Sequence, residues 1–341
     1  MAADGSLPEF YRYMIDVAAL DFGASTDHQG GAWPYWWWYT QKMTDMFHVP
    51  GAYVAISGYE RSPHWPKGNR NIFWAKRSDV RITPLFLRDG APGFTLPPNP
   101  TGDESGVGML NPMDGDTQLL YEELRPTKAL IVPHTTATFM GNDWKDNDPK
   151  LEPVVEIFQG ARTSYEMPGA PFVADPVKDA EHIKVAQYKP EGMVSEGLAK
   201  GYRLGIIASS DHGSTHISFA MVYTDNPTRE GILDAFRSRH VYGATDNIIL
   251  DVRMGQHFMG DDFTLAKPQP IRVKGRGTQA VKKATILRDS KEIYSTQPGR
   301  PEVDFEFIDK SSPGGRHYYY VRLEQDDGML AWSSPFFVTY R

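Results

Sequence analysis

Short apolar runs that end in an acid or a histidine constrain the fold of this chain more than any other feature. The clearest of them, residues 204–217, reads LGIIASSDHGSTHI. The run is apolar at first, then small, and it ends in Asp211, His212 and His216. Parallel α/β barrels present catalytic groups in this way, at the C-terminal tips of buried strands. The alternative is a strand followed by a polar turn, whose Asp and His only cap a helix.

The same pattern occurs three times earlier in the chain. The runs, each with the side chains that follow it, are residues 20–26 with Asp27 and His28, residues 52–57 with Glu60, and residues 128–132 with His134. Strand tips of a barrel converge on one face even when they are far apart in sequence. We therefore expect these side chains to share one site, and imidazole with carboxylate is the ligand set of a divalent metal.

Composition limits the chemistry further. The chain has 341 residues, no cysteine and a net charge of −7. A metal must therefore be held by His and carboxylate, and no nucleic-acid partner is expected because such a surface needs clustered Lys and Arg. No apolar run approaches the roughly 18 residues of a membrane span. The expected protein is soluble, cytoplasmic as the sequence is given, or periplasmic or secreted if an upstream signal peptide was removed.

The chain divides into two parts by pattern. Helix and strand patterns alternate up to about residue 245, and after it strand patterns are separated by turn signals such as Pro-Gly and Asp-Gly. The pattern predicts an α/β domain over residues 1–245 and a small all-β sandwich over residues 246–341. Residues 84–115, rich in Pro, Gly and Asp, are predicted to form a long irregular insertion or a lid over the site.

Several other interpretations are weaker. The chain has no His-Glu-x-x-His helix, no phosphate-binding Gly-x-x-x-x-Gly-Lys loop and no Gly-x-Ser-x-Gly elbow. A Ser-His-Asp triad within residues 209–216 is disfavoured, because a triad is recognised by geometry that sequence neighbours rarely have. The aromatic segment of residues 33–39 is suited to stacking a sugar or a base, but such density more often forms core and cleft wall.

Five motifs, taken in order, resemble those of the PHP (polymerase and histidinol phosphatase) superfamily. They are residues 26–28 (TDH), 58–60 (GYE), 68–71 (GNRN), 133–134 (PH) and 210–212 (SDH). The whole chain is similar to a PHP-like group that ends in a β-sandwich. Residues 318–322 (YYYVR) and 331–335 (AWSSP) are also similar to that group.

The resemblance implies a distorted (β/α)7 TIM-like barrel, followed by the sandwich, with two or three divalent metals such as Zn, Mn or Fe. It implies hydrolysis of a small-molecule phosphoester by a metal-activated water. Glu60 would bridge two metals, and Asp27 would orient His28 or a water. Side-chain chemistry, rather than the resemblance, suggests Arg162 or Arg70 for a bidentate contact to the phosphate. The implied metal ligands are His28, Glu60, His134, Asp211 and either His212 or His216.

Three departures from the family pattern leave two functions open. The family's opening His-x-His strand is absent from the sequence, so the first barrel strand is expected to lie upstream of the given start. Asn69 stands where the family usually has a ligating His, with His64 nearby, and Asp211 and His212 are adjacent rather than two apart. The chain is then either a metal-dependent phosphoesterase or a catalytically defective PHP-like protein that binds a ligand such as a saccharide.

Overall fold

The computed structural model of the protein describes residues 5–28, 34–86, 92–93, 113–159, 163–174, 188–211, 214–311 and 314–341. Its α-helices are α1 (Leu7–Arg12), α2 (Pro34–Met46), α3 (Asp116–Leu124), α4 (Val194–Ala199) and α5 (Arg229–Arg237). A π-helical turn, Tyr13–Val17, continues α1, and Arg77–Asp79 and Pro190–Gly192 are 3₁₀ turns.

The strands fall into a first group that carries the candidate site and a second group that follows it. The first group is β1 (Phe22–Ser25), β2 (Val54–Arg61), β3 (Arg70–Trp74), β4 (Leu85–Phe86), β5 (Pro92–Gly93), β6 (Leu130–Pro133), β7 (Val154–Gln159), β8 (Thr163–Ser164), β9 (Gly205–Ala208), β10 (Phe219–Val222) and β11 (Val241–Ala244). The second is β12 (Ile249–Met254), β13 (His257–Phe258), β14 (Asp262–Leu265), β15 (Ile271–Arg288), β16 (Lys291–Thr296), β17 (Arg300–Phe307), β18 (Gly315–Gln325), β19 (Leu330–Ser333) and β20 (Phe336–Tyr340).

The predicted (β/α)7 TIM-like PHP barrel is wrong. The described strands of the first group form a sheet of order β1-β2-β3-β6, in which only β1 and β2 are parallel, and a smaller sheet of order β8-β7-β9. A parallel neighbour needs a crossover of about a dozen residues or more, whereas only residues 62–69 separate β2 from β3. The short connection therefore gives an antiparallel hairpin where a barrel requires a helix.

A large curled antiparallel sheet dominates the structure. Within the described ranges it contains eleven strands, with the path β10-β11-β19-β18-β15-β12-β13 and β14, β16, β17 and β20 attached to it. Strand β15 is 18 residues long; its first part pairs with β12 and β17 and its second part with β16 and β18. The runs predicted as strands beyond residue 248 lie in this sheet, whereas the division of the chain at residue 245 remains a prediction.

The large sheet contacts the β8-β7-β9 sheet through β11 and β9. Strand β11 hydrogen-bonds to β10 and β19 in the large sheet and packs against β9. A Cβ atom on Gly243 would lie 2.8 Å from the carbonyl carbon of Ile207, closer than real Cβ atoms approach. Glycine is therefore required at this position, because it alone lets the two backbones come this close.

Helix α5 covers the apolar side of β2 and β10, and its first turn gives a testable prediction. The Oγ1 atom of Thr228 accepts a hydrogen bond from the backbone N–H of Gly231 at 3.2 Å. We expect Thr228→Ala to lower the free energy of unfolding by about 1 kcal/mol, because the cap is lost. Urea denaturation measures the change, with Thr228→Ser as the control that keeps the cap. Equal stability of the Ala and Ser variants would contradict the assignment.

Candidate functional site

A cavity of about 840 Å³ is lined at one end by four of the eight predicted site residues. Asp27, His28, Glu60, Glu156 and Asp211 all line it. Its remaining lining comes mainly from the apolar side chains of β1, β2, β9, β10 and α5. A concave, largely apolar pocket with a few convergent polar groups is the usual form of a small-molecule site.

The pairing of β1, β2, β3 and β6 brings the first side chains together. Strands β1 and β2 are parallel and in register, and one residue pair beyond them, His28 and Glu60, continues the alignment. Asn71 on β3 lies opposite Glu60, and His134 immediately follows β6. The backbone N–H of His134 donates to the carbonyl of Asn69 at 3.3 Å, which holds His134 close to Glu60.

Strand β2 is anchored immediately beside Glu60. Successive side chains of a strand point to opposite faces, so Arg61 points away from the face that carries Glu60. Both side chains of the Arg61–Asp116 pair are fully buried, and the guanidinium donates to the two carboxylate oxygens at 2.7 and 2.6 Å. Bidentate geometry of this kind fixes orientation, so the end of β2 is held rigidly against α3.

The carboxylate of Glu60 is the centre of the polar cluster. Its Oε1 atom accepts hydrogen bonds from Ser62 Oγ at 2.9 Å and from Asn69 Nδ2 at 2.8 Å. The Nδ1 atom of His28 and the Nε2 atom of His134 each lie 3.6 Å from this same oxygen. Ser62 Oγ also lies 2.7 Å from His28 Nδ1, so the hydroxyl joins the imidazole to the carboxylate.

Burial and mutual charge displace the pKa values of this cluster in opposite directions. Burial alone would raise the pKa of Glu60, but the neighbouring His28 and His134 lower it to about 2. Burial would lower the pKa of His134, but the charge of Glu60 raises it to about 9. Burial raises the pKa of Glu156 to about 7, with His134 opposing the shift and Asp211 adding to it. Such opposed displacements are typical of functional sites.

Four buried polar atoms near Glu60 lack a hydrogen-bond partner within the described structure. They are His134 Nε2, Glu156 Oε1, Asn69 Oδ1 and Asn71 Oδ1. A buried polar atom without a partner is costly, so native structures rarely keep one without a reason. Four such atoms around one carboxylate indicate a place for a ligand that would satisfy them.

Two of the eight non-glycine residues with positive φ in the described part of the chain lie beside the polar cluster. Thr135, directly after His134, has φ +51°, and Asp211 has φ +56°. Asp tolerates this left-handed region, whereas a β-branched residue such as Thr adopts it rarely. Strained conformations persist where the surrounding structure enforces them, and they cluster at functional sites.

The imidazole and carboxylate donors of the site suit a divalent cation. In the described structure, however, these side chains are not arranged around a single point. Among the described residues, no three or more His, Asp or Glu side chains are arranged to hold a metal ion. The donors nevertheless have the right chemistry, imidazole nitrogen with carboxylate oxygen. Ligands at about 2.1 Å from a tetrahedral ion stand about 3.4 Å apart, near the two 3.6 Å separations at Glu60. The unpaired atoms and the donor chemistry thus fit a metal, and side-chain rotation would have to complete its coordination.

The other predicted site residues have different environments. Asp27 accepts a hydrogen bond from Ser25 Oγ at 3.0 Å and lines the cavity beside His28. His216 is exposed, lies 3.1 Å from Ser214 Oγ through its Nδ1 atom and is not among the lining residues. His212 and Arg162 lie outside the described residues.

Two residues considered as substitutes are used elsewhere in the fold. Arg70 is buried and donates to Glu152 Oε1 at 2.6 Å and to the carbonyl of Gly68 at 2.9 Å, so it is not disposed to hold a phosphate. The ring of His64 packs edge-on against Phe139, with centroids 5.2 Å apart, and is not among the cavity-lining residues.

The described part of the aromatic segment, residues 34–39, also does not line the cavity. Tyr35, Trp36 and Trp38 are exposed and do not line it, while Trp37 packs against Tyr59 with ring centroids 6.0 Å apart.

Sequence reasoning missed Glu156 and Ser62 as members of the site. Glu156 is buried in the middle of β7, whose sequence VVEIFQ is otherwise mainly apolar. A carboxylate inside a buried apolar run is a usable signal, because an acid is almost never fully buried without a specific reason. Ser62 follows β2 as an ordinary polar residue, and nothing in its sequence context marks it.

None of the helices in the described part of the chain has the length and apolar character needed to cross a membrane.

Comparisons with known proteins find relatives of low identity. No protein-family model matches the chain. An uncharacterized protein of Chlamydia pneumoniae is 24% identical over 365 residues, which cover 96% of this chain and 53% of the relative. An uncharacterized protein of Chlamydia trachomatis is 23% identical over 373 residues, which cover 98% of this chain and 55% of the relative.

Two solved structures show only weak likeness to the chain. Fibronectin(III)-like modules of CbhA from Clostridium thermocellum match 27% of this chain and 94% of their own, with a TM-score of 0.21 and 14% identity. An endo-β-1,4-mannanase from Thermotoga petrophila matches 60% of this chain and 51% of its own, with a TM-score of 0.22 and 12% identity. At these scores neither structure bears on the fold or the site. The chain spans about half the length of the curated relatives that it matches.

Proposed function

We propose that the polar end of the cavity is the active site of a metal-dependent hydrolase, with Glu60, His28 and His134 as the central ligands. One observation carries the proposal: two imidazole nitrogens lie 3.6 Å from one buried carboxylate oxygen at the end of a cavity of small-molecule size. The buried Oε1 atom of Glu156, which makes no hydrogen bond among the described residues, supports it, since a bound cation or its water would supply a partner. Asp211 lines the same end and is the proposed further ligand.

The residues of the chain have distinct parts in such a reaction. Asn69 holds Glu60 Oε1 through its amide, and Ser62 orients the ring of His28. A bound divalent cation lowers the pKa of a water and neutralises charge that develops on the substrate oxygens. Glu156, whose Oε1 atom is buried and unpaired, is the proposed acceptor of the proton that this water loses.

A phosphoester is the proposed substrate class on the strength of the motif order that resembles the PHP superfamily. Arg162, the residue predicted to bind the phosphate, lies outside the described residues. The metal-ligand part of the proposal has support from geometry, while the phosphoester part depends on the resemblance alone. The experiment therefore has to measure metal dependence and substrate class separately.

We expect purified protein to hydrolyse 4-nitrophenyl phosphate and to lose this activity after treatment with a chelator. Activity should return when Zn²⁺, Mn²⁺ or Fe²⁺ is added to the dialysed protein, because only then can the ligands hold a cation again. Release of nitrophenol is followed by absorbance, with 4-nitrophenyl acetate as a comparison for ester hydrolysis without a phosphoryl group. A rate that chelation leaves unchanged would exclude the metal, and activity on the acetate alone would exclude the phosphoester class.

A further inference from the structure

The cavity extends far beyond the polar end. Both Phe22 and His28 line it, and the chain between them runs along β1. Six residues of extended chain span about 20 Å at about 3.3 Å per residue. The cavity therefore reaches from the Glu60 cluster to the far end of β1, where the ring of Phe22 packs edge-on against Phe236 with centroids 6.4 Å apart.

Six apolar side chains of this long part belong to one hydrophobic cluster: Phe22, Val54 and Ile56 from β1 and β2, and Ile207, Val222 and Leu233 from β9, β10 and α5. At about 840 Å³ the cavity lies in the range that encloses a drug-sized ligand. A small phosphate at the polar end would leave most of this volume unfilled.

The charges of the lining limit what can fill the cavity. Among the described residues, no lysine or arginine lines it; its acids are Asp27, Glu60, Glu156 and Asp211 at the polar end and Asp21 at the far end, and His28 is its histidine. A polyanionic leaving group such as a nucleotide would find no cation along these walls. An uncharged apolar group would bury itself against them at about 0.8 kcal/mol per CH₂ in water-to-apolar transfer.

We propose that the substrate of this site carries an extended apolar group, an acyl or alkyl chain, that occupies the long part of the cavity. This inference rests on the proposed function for the reacting end, while the chain-binding part stands on the walls alone. Ala24 on β1 and Ala220 on β10 line the cavity and are only partly buried. A larger side chain at either position would fill the space that the chain needs.

Calorimetric titration with methyl phosphate and decyl phosphate, below the micellar concentration of the latter, tests the inference without requiring catalysis. We expect decyl phosphate to bind at least about 100-fold more tightly than methyl phosphate, because nine further carbons are buried. Ala220→Phe should reduce this ratio to below about 3-fold and leave methyl phosphate binding unchanged. Ala24→Phe, on β1, gives the same test if Ala220→Phe fails to fold.

The outcomes separate this inference from the proposed function. Equal affinity for the two phosphates, or a decyl preference that a folded Phe variant retains, would overturn the apolar-chain inference. If chelation leaves hydrolysis unchanged while decyl phosphate still binds more tightly than methyl phosphate, the hydrolase proposal is overturned instead. Circular dichroism and urea denaturation establish which variants are folded.

Discussion

Replacing Glu166 with glutamine is expected to lower the free energy of unfolding by about 3–5 kcal/mol. The Glu166 carboxylate is buried and accepts hydrogen bonds from Tyr320 Oη at 2.7 Å, Arg322 Nη1 at 2.6 Å and Trp332 Nε1 at 2.7 Å. Glutamine removes the charge that pairs with Arg322 and offers an NH₂ group to neighbours that are themselves donors. Breaking a buried pair by removing one partner leaves the other charge buried and uncompensated, which is why the expected loss is large.

Urea denaturation followed by tryptophan fluorescence measures this loss, with Glu196→Gln as the matched control. Glu196 lies on α4 and is exposed, so its replacement should change the free energy of unfolding by less than about 0.5 kcal/mol. A Glu166→Gln variant as stable as Glu196→Gln would show that this carboxylate does not hold the segment after β8 to the large sheet.

Replacing Glu60 with glutamine should reduce chelator-sensitive hydrolysis by about 100-fold or more. The substitution keeps the size of the side chain but removes the negative charge that a cation would meet between His28 and His134. Loss of one electrostatic element of an active site costs about 100- to 1,000-fold in kcat. The ratio kcat/KM for 4-nitrophenyl phosphate measures the effect, and circular dichroism checks the fold.

Glu122→Gln is the control for this second substitution. Glu122 is exposed on α3 and does not line the cavity, so the variant should keep the activity of the unaltered protein. If Glu60→Gln retains full activity while its fold is intact, the carboxylate has no part in the reaction, and the reacting groups must be sought elsewhere.

Part of the site was accessible from the sequence because strand ends are visible in it. The end of an apolar run marks the end of a buried strand. A polar side chain at that position lies at the edge of the sheet where neighbouring strands also end. This reasoning selected His28, Glu60 and Asp211, which line one cavity. It also selected His134, whose Nε2 atom lies 3.6 Å from Glu60 Oε1. Their roles as metal ligands remain predictions.

Strand direction and pairing were not accessible in the same way. The sequence patterns of β2 and β3 are equally compatible with parallel and antiparallel neighbours, and the short connection of residues 62–69 decides for a hairpin. Likewise, β10 and β11 lie within the alternating part of the chain, yet they hydrogen-bond within the large antiparallel sheet. These two departures explain why a barrel was expected and is not found.

Long-range polar contacts escaped the sequence analysis for a related reason. Glu166 meets partners 154, 156 and 166 residues later in the chain, and Arg70 meets Glu152, 82 residues away. Spacing along the chain carries no information about such pairs, because tertiary packing alone brings them together. Arg70 therefore looked available for a phosphate although it belongs to a buried ion pair.

The metal content of purified protein, determined by elemental analysis for the unaltered chain, His134→Ala and His216→Ala, tests the central claim most directly. His134 lies 3.6 Å from Glu60 and is buried, whereas His216 is exposed and outside the cavity lining. We predict bound Zn, Mn or Fe in the unaltered protein, a clear loss in His134→Ala and no loss in His216→Ala. Unchanged metal content in a folded His134→Ala variant, or absence of metal from the unaltered protein, would contradict the account.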